Sequence, residues 1–203
     1  MYVPPQYRAM DPAAIIHRYP FAQFITGGGD MPLMATSTPI CFERDGDETR
    51  LVGHLSRGNP QAATLEEGMP ILAIFAGPHA YISPAWYREK PEVPTWNYVT
   101  AQVRGHLTPI DDGEGQLAVL RRTAAVAEKG ARDPWRLEKA PAGRVDFLLP
   151  MIRSFRIHVE AIEGATKLGQ KHPVGDRMRV ICALAAKGGG TETDLARLMA
   201  DAI

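Results

Sequence analysis

Alternation of apolar and polar residues is the strongest secondary-structure signal in the chain. From Val99 to Leu107 the odd positions are apolar or glycine, whereas the even positions are polar. The segment from Phe155 to Ala161 repeats this pattern far downstream. A period of two places successive side chains on opposite faces of a strand, so both segments predict strands with one core face and one polar face.

Four further strands are predicted from apolar runs that end at turn residues. They are Phe21 to Thr26, Met34 to Phe42, Thr49 to Ser56, and Ile71 to Ala76. Asp45-Gly46-Asp47 separates the second and third runs, which is typical of a hairpin. Gly77-Pro78 is expected to end the fourth strand. Six short strands with flanking helices predict a mainly β, α+β fold built as an antiparallel barrel.

Helices are expected on either side of these strands. Asp11-Pro12 supplies a cap and a first-turn proline for the first helix, and Thr191 is expected to cap the last one. The predicted helices run from Ala13 to Tyr19, Gly115 to Lys129, Ala142 to Leu149, Asp176 to Ala186, and Glu192 to Ala202. These elements suggest a barrel domain over residues 1–172 with inserted helices, and a C-terminal helical hairpin over residues 173–203 that packs on the barrel.

Composition and charge narrow the possible partners. The chain has 203 residues, with 23 Lys and Arg against 23 Asp and Glu, so no net charge draws it to nucleic acid or to an anionic membrane. Cys41 and Cys182 show no disulfide or zinc spacing, and no stretch approaches the roughly 20 apolar residues of a membrane span. We expect a cytoplasmic protein with no membrane partner and no metal site.

The first polar cluster follows the third strand. Ser56, Arg57 and Asn59 bring a hydroxyl, a guanidinium and an amide together beside glycine. Such groups can hold a phosphate, because arginine offers two parallel donors and the neutral side chains add hydrogen bonds. A solvated turn is the alternative interpretation of the same residues.

The second and third clusters are aromatic. Tyr81 to Tyr87 and Pro94 to Tyr98 hold two of the three tryptophans within 18 residues. This density suits stacking on a planar heterocycle whose edges bond to Ser83, Thr95 and Asn97, although packing over the barrel end explains it equally well. The fourth cluster, Lys167 to His172, follows the last predicted strand. It is either a basic loop at the end of that strand or a second cationic contact for an anionic ligand.

Common catalytic motifs are absent from the sequence. There is no GxGxxG, GxxxxGK[ST] or HExxH motif, so dinucleotide, nucleoside-triphosphate and metalloprotease functions lack support. The six histidines are scattered and carry no metal-ligand spacing. No residue is identifiable as a catalytic acid or base.

Five segments together carry a family resemblance that covers nearly the whole chain. They are Met1-Tyr2-Val3-Pro4, Gly53 to Gln61, Tyr81 to Tyr87, Val93 to Tyr98, and Lys167-Leu168-Gly169-Gln170. In these segments the sequence resembles the PaiB-like family of FMN-binding negative transcriptional regulators. The resemblance implies an FMN-binding split barrel, which is a six-stranded antiparallel Greek-key barrel related to pyridoxamine-phosphate oxidases and flavin reductases. It also implies a homodimer that binds FMN between its subunits.

The resemblance also implies roles for individual residues. Ser56, Arg57 and Asn59 are expected on the phosphate side, Lys167 and Gln170 approach from the last strand, and the aromatic clusters lie at the ring or at the dimer surface. The predicted cofactor-binding residues are His54, Ser56, Arg57, Asn59, Ser83, Trp86, Tyr87, Thr95, Trp96, Asn97, Lys167 and Gln170. The chain departs from common family patterns at Ser37-Thr38-Pro39, where His-Leu-Pro is frequent, and at Gly169 and Lys171, where Ser and Asn are frequent.

Two functions follow from the resemblance. The first is an FMN-binding transcriptional regulator, and the alternative is an FMN-dependent oxidoreductase of the pyridoxamine-phosphate-oxidase or flavin-reductase type. Direct DNA binding is not expected, because the last predicted helix offers Arg197 as its one base against Glu192, Asp194 and Asp201.

Overall fold

Six strands form a closed barrel in the computed structural model, which describes residues 1–43, 49–88 and 93–203. Their order around the barrel is β1-β2-β3-β6-β5-β4. The strands are β1 (Phe21–Gly28), β2 (Met31–Phe42), β3 (Arg50–Ser56), β4 (Met69–Ile82), β5 (Thr95–Ile110) and β6 (Ile152–Lys167). The predicted six-stranded antiparallel barrel is therefore confirmed, while the predicted turn at Asp45-Gly46-Asp47 lies outside the described residues.

Antiparallel pairing places alternate side chains of each strand in the barrel interior. β1 pairs with both β2 and β4, and β3 pairs with both β2 and β6. Phe24 and Phe155 are fully buried and stack with their ring centroids 4.3 Å apart. A side chain at Gly53 would place its Cβ 2.7 Å from Cζ of Phe155, so glycine is required for this stack. The core thus depends on a large ring opposite a residue without a side chain.

Five of the six strands are longer than the sequence predicts, and the largest extensions are in β4, β5 and β6. β4, β5 and β6 contain 14, 16 and 16 residues, and β4 continues through Gly77-Pro78 to Ile82. The expectation that Gly77-Pro78 ends this strand is wrong. Proline fixes φ near −65° and withholds one donor, and an extended strand tolerates both when neighbouring residues stay paired. Ala80 and Ile82 remain buried beyond the proline, so the alternation continues there.

Six α-helices accompany the barrel strands in the described residues. They are α1 (Pro12–Arg18), α2 (Pro60–Ala63), α3 (Gly113–Ala127), α4 (Arg144–Leu148), α5 (Val174–Lys187) and α6 (Gly190–Asp201). The side chain of Asp11 accepts a hydrogen bond from the amide of Ala14 at 3.1 Å, as its capping role predicts. The cap predicted at Thr191 is wrong, because α6 already begins after the extended residue Gly189.

The chain divides into two compact units. One comprises Met1–Arg18, Ala76–Ala101 and Glu163–Ile203, and includes α1, α5 and α6. The other comprises Tyr19–Phe75 and Gln102–Ile162, and includes α2, α3 and α4. The sequence-based division after residue 172 stays a prediction. No helix in the described ranges is long and apolar enough to cross a membrane.

Candidate functional site

The predicted site residues occur in both compact units. His54, Ser56, Arg57 and Asn59 belong to the unit that contains β3. The other unit holds the remaining eight, which are Ser83, Trp86, Tyr87, Thr95, Trp96, Asn97, Lys167 and Gln170. The side chains of the two groups contact different neighbouring residues.

Arg57 is presented by a hydrogen-bonded turn directly after β3. Its backbone amide donates to the carbonyl of Met151 at 2.8 Å, while its side chain is 45% exposed. Its guanidinium lies 3.5 Å from Asp111, a carboxylate that Arg153 already binds through two hydrogen bonds of 3.1 Å. Those bonds to Arg153 are the main reason that the pKa of Asp111 is lowered. Arg57 therefore retains donors that face solvent and can bind an anion.

The amide of Asn59 is used within the chain. Its Oδ1 accepts from the backbone amide of Gln61 at 2.9 Å and caps α2. Its Nδ2 donates to Oγ1 of Thr36 at 2.8 Å. The nearby Ser56 is exposed, and its hydroxyl accepts from the amide of Gly58 at 3.3 Å. Asn59 thus fixes the loop that presents Ser56 and Arg57.

Gln61, which the sequence analysis did not single out, is the buried anchor of this loop. Its side chain is 1% exposed and accepts from Oγ1 of Thr36 at 2.6 Å. Its Nε2 donates to Oγ1 of Thr26 at 2.9 Å and approaches the carbonyl oxygens of Phe24 and Met34 at 3.2 and 3.3 Å. Its place two residues after Asn59, beside a helix-starting proline, is the sequence signal that could have identified it.

His54 combines burial with an unpaired ring nitrogen. Its Nδ1 is buried and has no hydrogen-bond partner among the described residues. Burial lowers the pKa of His54, because the charged ring loses hydration. Ser154 stands opposite His54 in the β3–β6 register, and its buried hydroxyl also has no partner in the described ranges. His54 is thus a neutral, largely enclosed ring rather than a solvent-facing ligand.

Trp96 offers the most exposed aromatic surface of the second group. Its side chain is 53% exposed, and its ring centroid lies 6.2 Å from those of His79 and of Tyr81. His79 and Tyr81 occupy alternate positions of β4, next to β5 in the barrel. Tyr81 was placed in an aromatic cluster from sequence, whereas His79 was missed because β4 was expected to end before it. The three rings form one exposed aromatic surface.

Lys167 is held at the end of β6 by two neighbours. Its Nζ donates to Oγ1 of Thr95 at 2.6 Å and lies 5.7 Å from the ring centroid of Tyr7. Burial lowers the pKa of Lys167. The predicted pair of Thr95 and Lys167 is thus in direct contact. Tyr7 was missed, because nothing in the sequence relates the N-terminal segment to β6.

Predicted site residues in the segment after β4 form contacts within the protein. The hydroxyl of Ser83 accepts from the amide of Ala85 at 3.2 Å and caps a short 3-10 turn. Tyr87 is 5% exposed and its ring centroid lies 4.5 Å from that of His172. Trp86 has its ring centroid 6.0 Å from Nζ of Lys187. Tyr87 therefore packs against His172, and its contact with a ligand stays a prediction.

Asn97 and Gln170 also face the protein. Asn97 is 1% exposed, with its Nδ2 3.5 Å from Sδ of Met199, and its Oδ1 has no partner among the described residues. The Oε1 of Gln170 accepts from the amide of Leu168 at 2.8 Å. Gly169 has φ of +76°, a conformation that favours glycine over the serine frequent in the family. Gln170 thus shapes the turn after β6, whereas Asn97 contacts α6.

Comparisons with known proteins decide the family. Residues 1–161 match the family model described as "Putative FMN-binding domain". The chain belongs to the PaiB-like family of FMN-binding domains. It is 31% identical to "Protease synthase and sporulation protein PAI 2" of Bacillus subtilis over 99% of its own length and 97% of that protein. Family membership confirms the prediction of a flavin cofactor.

Solved structures confirm the fold. The flavocytochrome Anf3 of Azotobacter vinelandii aligns with a TM-score of 0.56 at 16% identity, over 83% of this chain and 73% of that chain. An FAD and heme binding protein of Mycobacterium smegmatis aligns with the same TM-score and identity, over 90% and 80% of the two chains. Similarity at this level supports the split-barrel architecture alone.

Proposed function

We propose that this protein binds FMN, with Arg57 and Ser56 contacting the phosphate. The observation that carries the proposal is the guanidinium of Arg57, which is half exposed although it stands on a hydrogen-bonded turn. Its acidic neighbour Asp111, at 3.5 Å, is also bound by Arg153 through two hydrogen bonds. A fixed backbone and free donors are the two requirements for a bidentate phosphate contact. In this proposal Asn59 and Gln61 position the loop and do not touch the ligand.

The exposed aromatic surface of Trp96, His79 and Tyr81 fits the planar ring of a flavin. Stacking needs an accessible aromatic face, and Trp96 supplies one at 53% exposure. Lys167, held by Thr95, adds a positive charge in the same compact unit. When bound, FMN would supply electron-accepting ring chemistry, and these side chains would orient the ring and exclude water from it.

A homodimer is the proposed assembly, because one sheet face is apolar and uncovered. Leu33 is 75% and Phe21 62% exposed on β2 and β1. Gln23 and Ser37, which share this outer face, bond to each other at 2.8 Å. The outward positions 21, 23, 25, 33, 35 and 37 include no charged residue. A second copy would remove these side chains from water.

The proposed regulatory role rests on the family resemblance and not on a DNA-reading element. In α6, Arg197 is paired with Asp194 at 3.1 Å, while Leu195 and Met199 are buried. This helix therefore offers no free basic face to a phosphate backbone. We propose that the protein regulates as an FMN-bound dimer and acts on transcription through a partner.

A titration with FMN tests the flavin proposal. Flavin fluorescence would be followed for the wild type, for Arg57→Ala and for Trp96→Ala. Loss of a charge-assisted phosphate contact should weaken binding by roughly 10- to 100-fold in Arg57→Ala. Trp96→Ala should weaken it by about tenfold through lost stacking. Arg197→Ala is the charge-matched control and should bind as the wild type does.

Two results would count against this function. Unchanged FMN affinity in both site variants would show that the ligand binds elsewhere. Steady oxidation of a reduced nicotinamide by the FMN-loaded protein would favour the oxidoreductase alternative over a regulatory role.

A further inference from the structure

One cavity has a lining that includes none of the twelve predicted flavin-site residues. It has a volume of about 510 Å³ and is formed by one face of α3 and the segment of residues 128–138 that follows it. All of its lining belongs to the compact unit that contains α3. Its size falls within the range of roughly 300–1,000 Å³ typical of small-molecule sites.

The floor of this cavity is made by two small residues of α3. Arg121, Ala124, Ala125 and Glu128 follow each other at spacings that place them on one helix face. Because Ala124 and Ala125 end at Cβ, they leave a depression between longer side chains. The depression is therefore built into the helix sequence.

The opposite wall is ordered by specific hydrogen bonds. The backbone amide of Trp135 donates to Oε2 of Glu128 at 3.0 Å, and Nε of Arg121 donates to Oε1 of Glu138 at 3.3 Å. Lys139 donates from Nζ to Asp133 at 2.6 Å, which braces the same segment from outside. These contacts fix the segment that carries Trp135, which is 42% exposed and lines the cavity together with the two alanines.

The charges that line the cavity favour an anion. Arg121, Lys129 and Arg136 face two carboxylates, Glu128 and Glu138. Both carboxylates are already used, one by the Trp135 amide and the other by Arg121. Glu138 also interacts electrostatically with Arg136, and the three cations outnumber the two carboxylates by one. A net positive charge therefore lies beside an exposed indole.

We propose that this cavity binds a small aromatic carboxylate. The ring would lie against Trp135 over Ala124 and Ala125, and the carboxylate would contact Lys129 and Arg136. A neutral aromatic ligand would offer no charge to this positive lining, and an inorganic anion would leave the indole uncovered. An aromatic amine would be repelled by the net positive lining. An aromatic carboxylate has both a ring that can lie against Trp135 and a negative charge that Lys129 and Arg136 can bind.

Calorimetric titration with 2-naphthoate tests the proposal, with 2-naphthamide and inorganic phosphate as matched probes. We expect saturable binding of 2-naphthoate at one site per chain. The amide should bind at least about tenfold more weakly, because it lacks the charge that Lys129 and Arg136 recognise. Saturating FMN should leave the 2-naphthoate affinity unchanged, because the cavity shares no residue with the proposed flavin site.

Substitutions inside and beside the cavity test whether 2-naphthoate binds there. Ala125→Leu should abolish binding by filling the depression, whereas Ala127→Leu adds the same side chain to an exposed position of α3 outside the lining and should have no effect. Arg136→Gln should weaken 2-naphthoate by about tenfold and leave the amide unchanged. The proposal is wrong if 2-naphthoate does not bind, if both naphthalene probes bind equally, if FMN displaces 2-naphthoate, or if Ala125→Leu binds normally.

Discussion

Gln61 shows how one buried amide can position a functional loop. Its side chain joins β1, β2 and the start of α2 through contacts with Thr26, Thr36 and two backbone carbonyls. A buried polar network of this kind is stabilising when every member has a partner, and costly when one is removed. The loop that carries Arg57 therefore depends on a residue that does not face the ligand.

Replacing Gln61 should destabilise the fold markedly. Gln61→Ala would leave the Thr36 hydroxyl without its acceptor and buried carbonyls without a donor, so we expect a loss of about 3 kcal/mol in the free energy of unfolding. Urea denaturation measures this loss. Gln6→Ala, at an exposed glutamine, should stay within about 0.5 kcal/mol of the wild type. Equal stability of the two variants would contradict the structural role of Gln61.

His54 predicts a decline of stability in mild acid. Burial lowers its pKa in the folded protein below the unfolded value near 6.5, so the unfolded chain binds the proton more readily. The free energy of unfolding should therefore be unaffected by His54 well above pH 6.5. It should fall as the pH drops below 6.5, by at most about 1.4 kcal/mol per pH unit from this one group.

Denaturation at several pH values compares His54→Gln with the wild type. The variant should lose part of the decline below pH 6.5, and His17→Gln, at an exposed histidine, should retain it. An identical decline in His54→Gln and the wild type would show that other groups cause it.

Sequence reasoning identified residues better than it identified their roles. Arg57 and Trp96 were predicted at the site, and the structure leaves both accessible. Asn59 and Tyr87 came from the same motifs, yet one caps α2 and the other packs against His172. A motif specifies which residue types occur together, whereas the partner of each side chain depends on distant segments that the motif does not contain.

At the scale of elements, local patterns located every strand but not its full length. The period-two alternation of β5 and β6 predicted their centres, whereas their ends extend several residues beyond the pattern. Pairing with neighbouring strands sets those ends, and proline did not stop β4. The capping pattern correctly predicted the cap at Asp11. The cap predicted at Thr191 was wrong, because α6 begins upstream of it at Gly190, directly after Gly189.

The cap of α3 makes a testable contribution of its own. Oδ1 of Asp112 accepts from the amide of Gly115 at 2.7 Å. Asp112→Ala should lower the free energy of unfolding by about 1 kcal/mol, because it leaves a helix-terminal amide without an acceptor. Asp112→Asn should retain most of the stability, since asparagine caps almost equally well. Thermal or urea denaturation of both variants checks this, and equal losses would contradict a capping role.

At the scale of the whole molecule, the uncovered face of β1 and β2 predicts self-association. The wild type should have twice the chain mass of 22.2 kDa in light scattering after gel filtration. Leu33→Glu should shift the population to the monomer, because it places a charge in the apolar interface. Tyr2→Glu changes a side chain that is 90% exposed outside this face and should remain dimeric. A monomeric wild type would contradict the dimer.

FMN recognition is the central claim, and comparing FMN with riboflavin tests it most directly. The two ligands share the flavin ring and differ by the phosphate that Arg57 is proposed to hold. Absorbance titration should give saturable binding of about one FMN per chain, with riboflavin at least about tenfold weaker. In Arg57→Ala the two ligands should bind with similar affinity. Absence of saturable FMN binding, or equal affinity of the wild type for both ligands, would contradict the account.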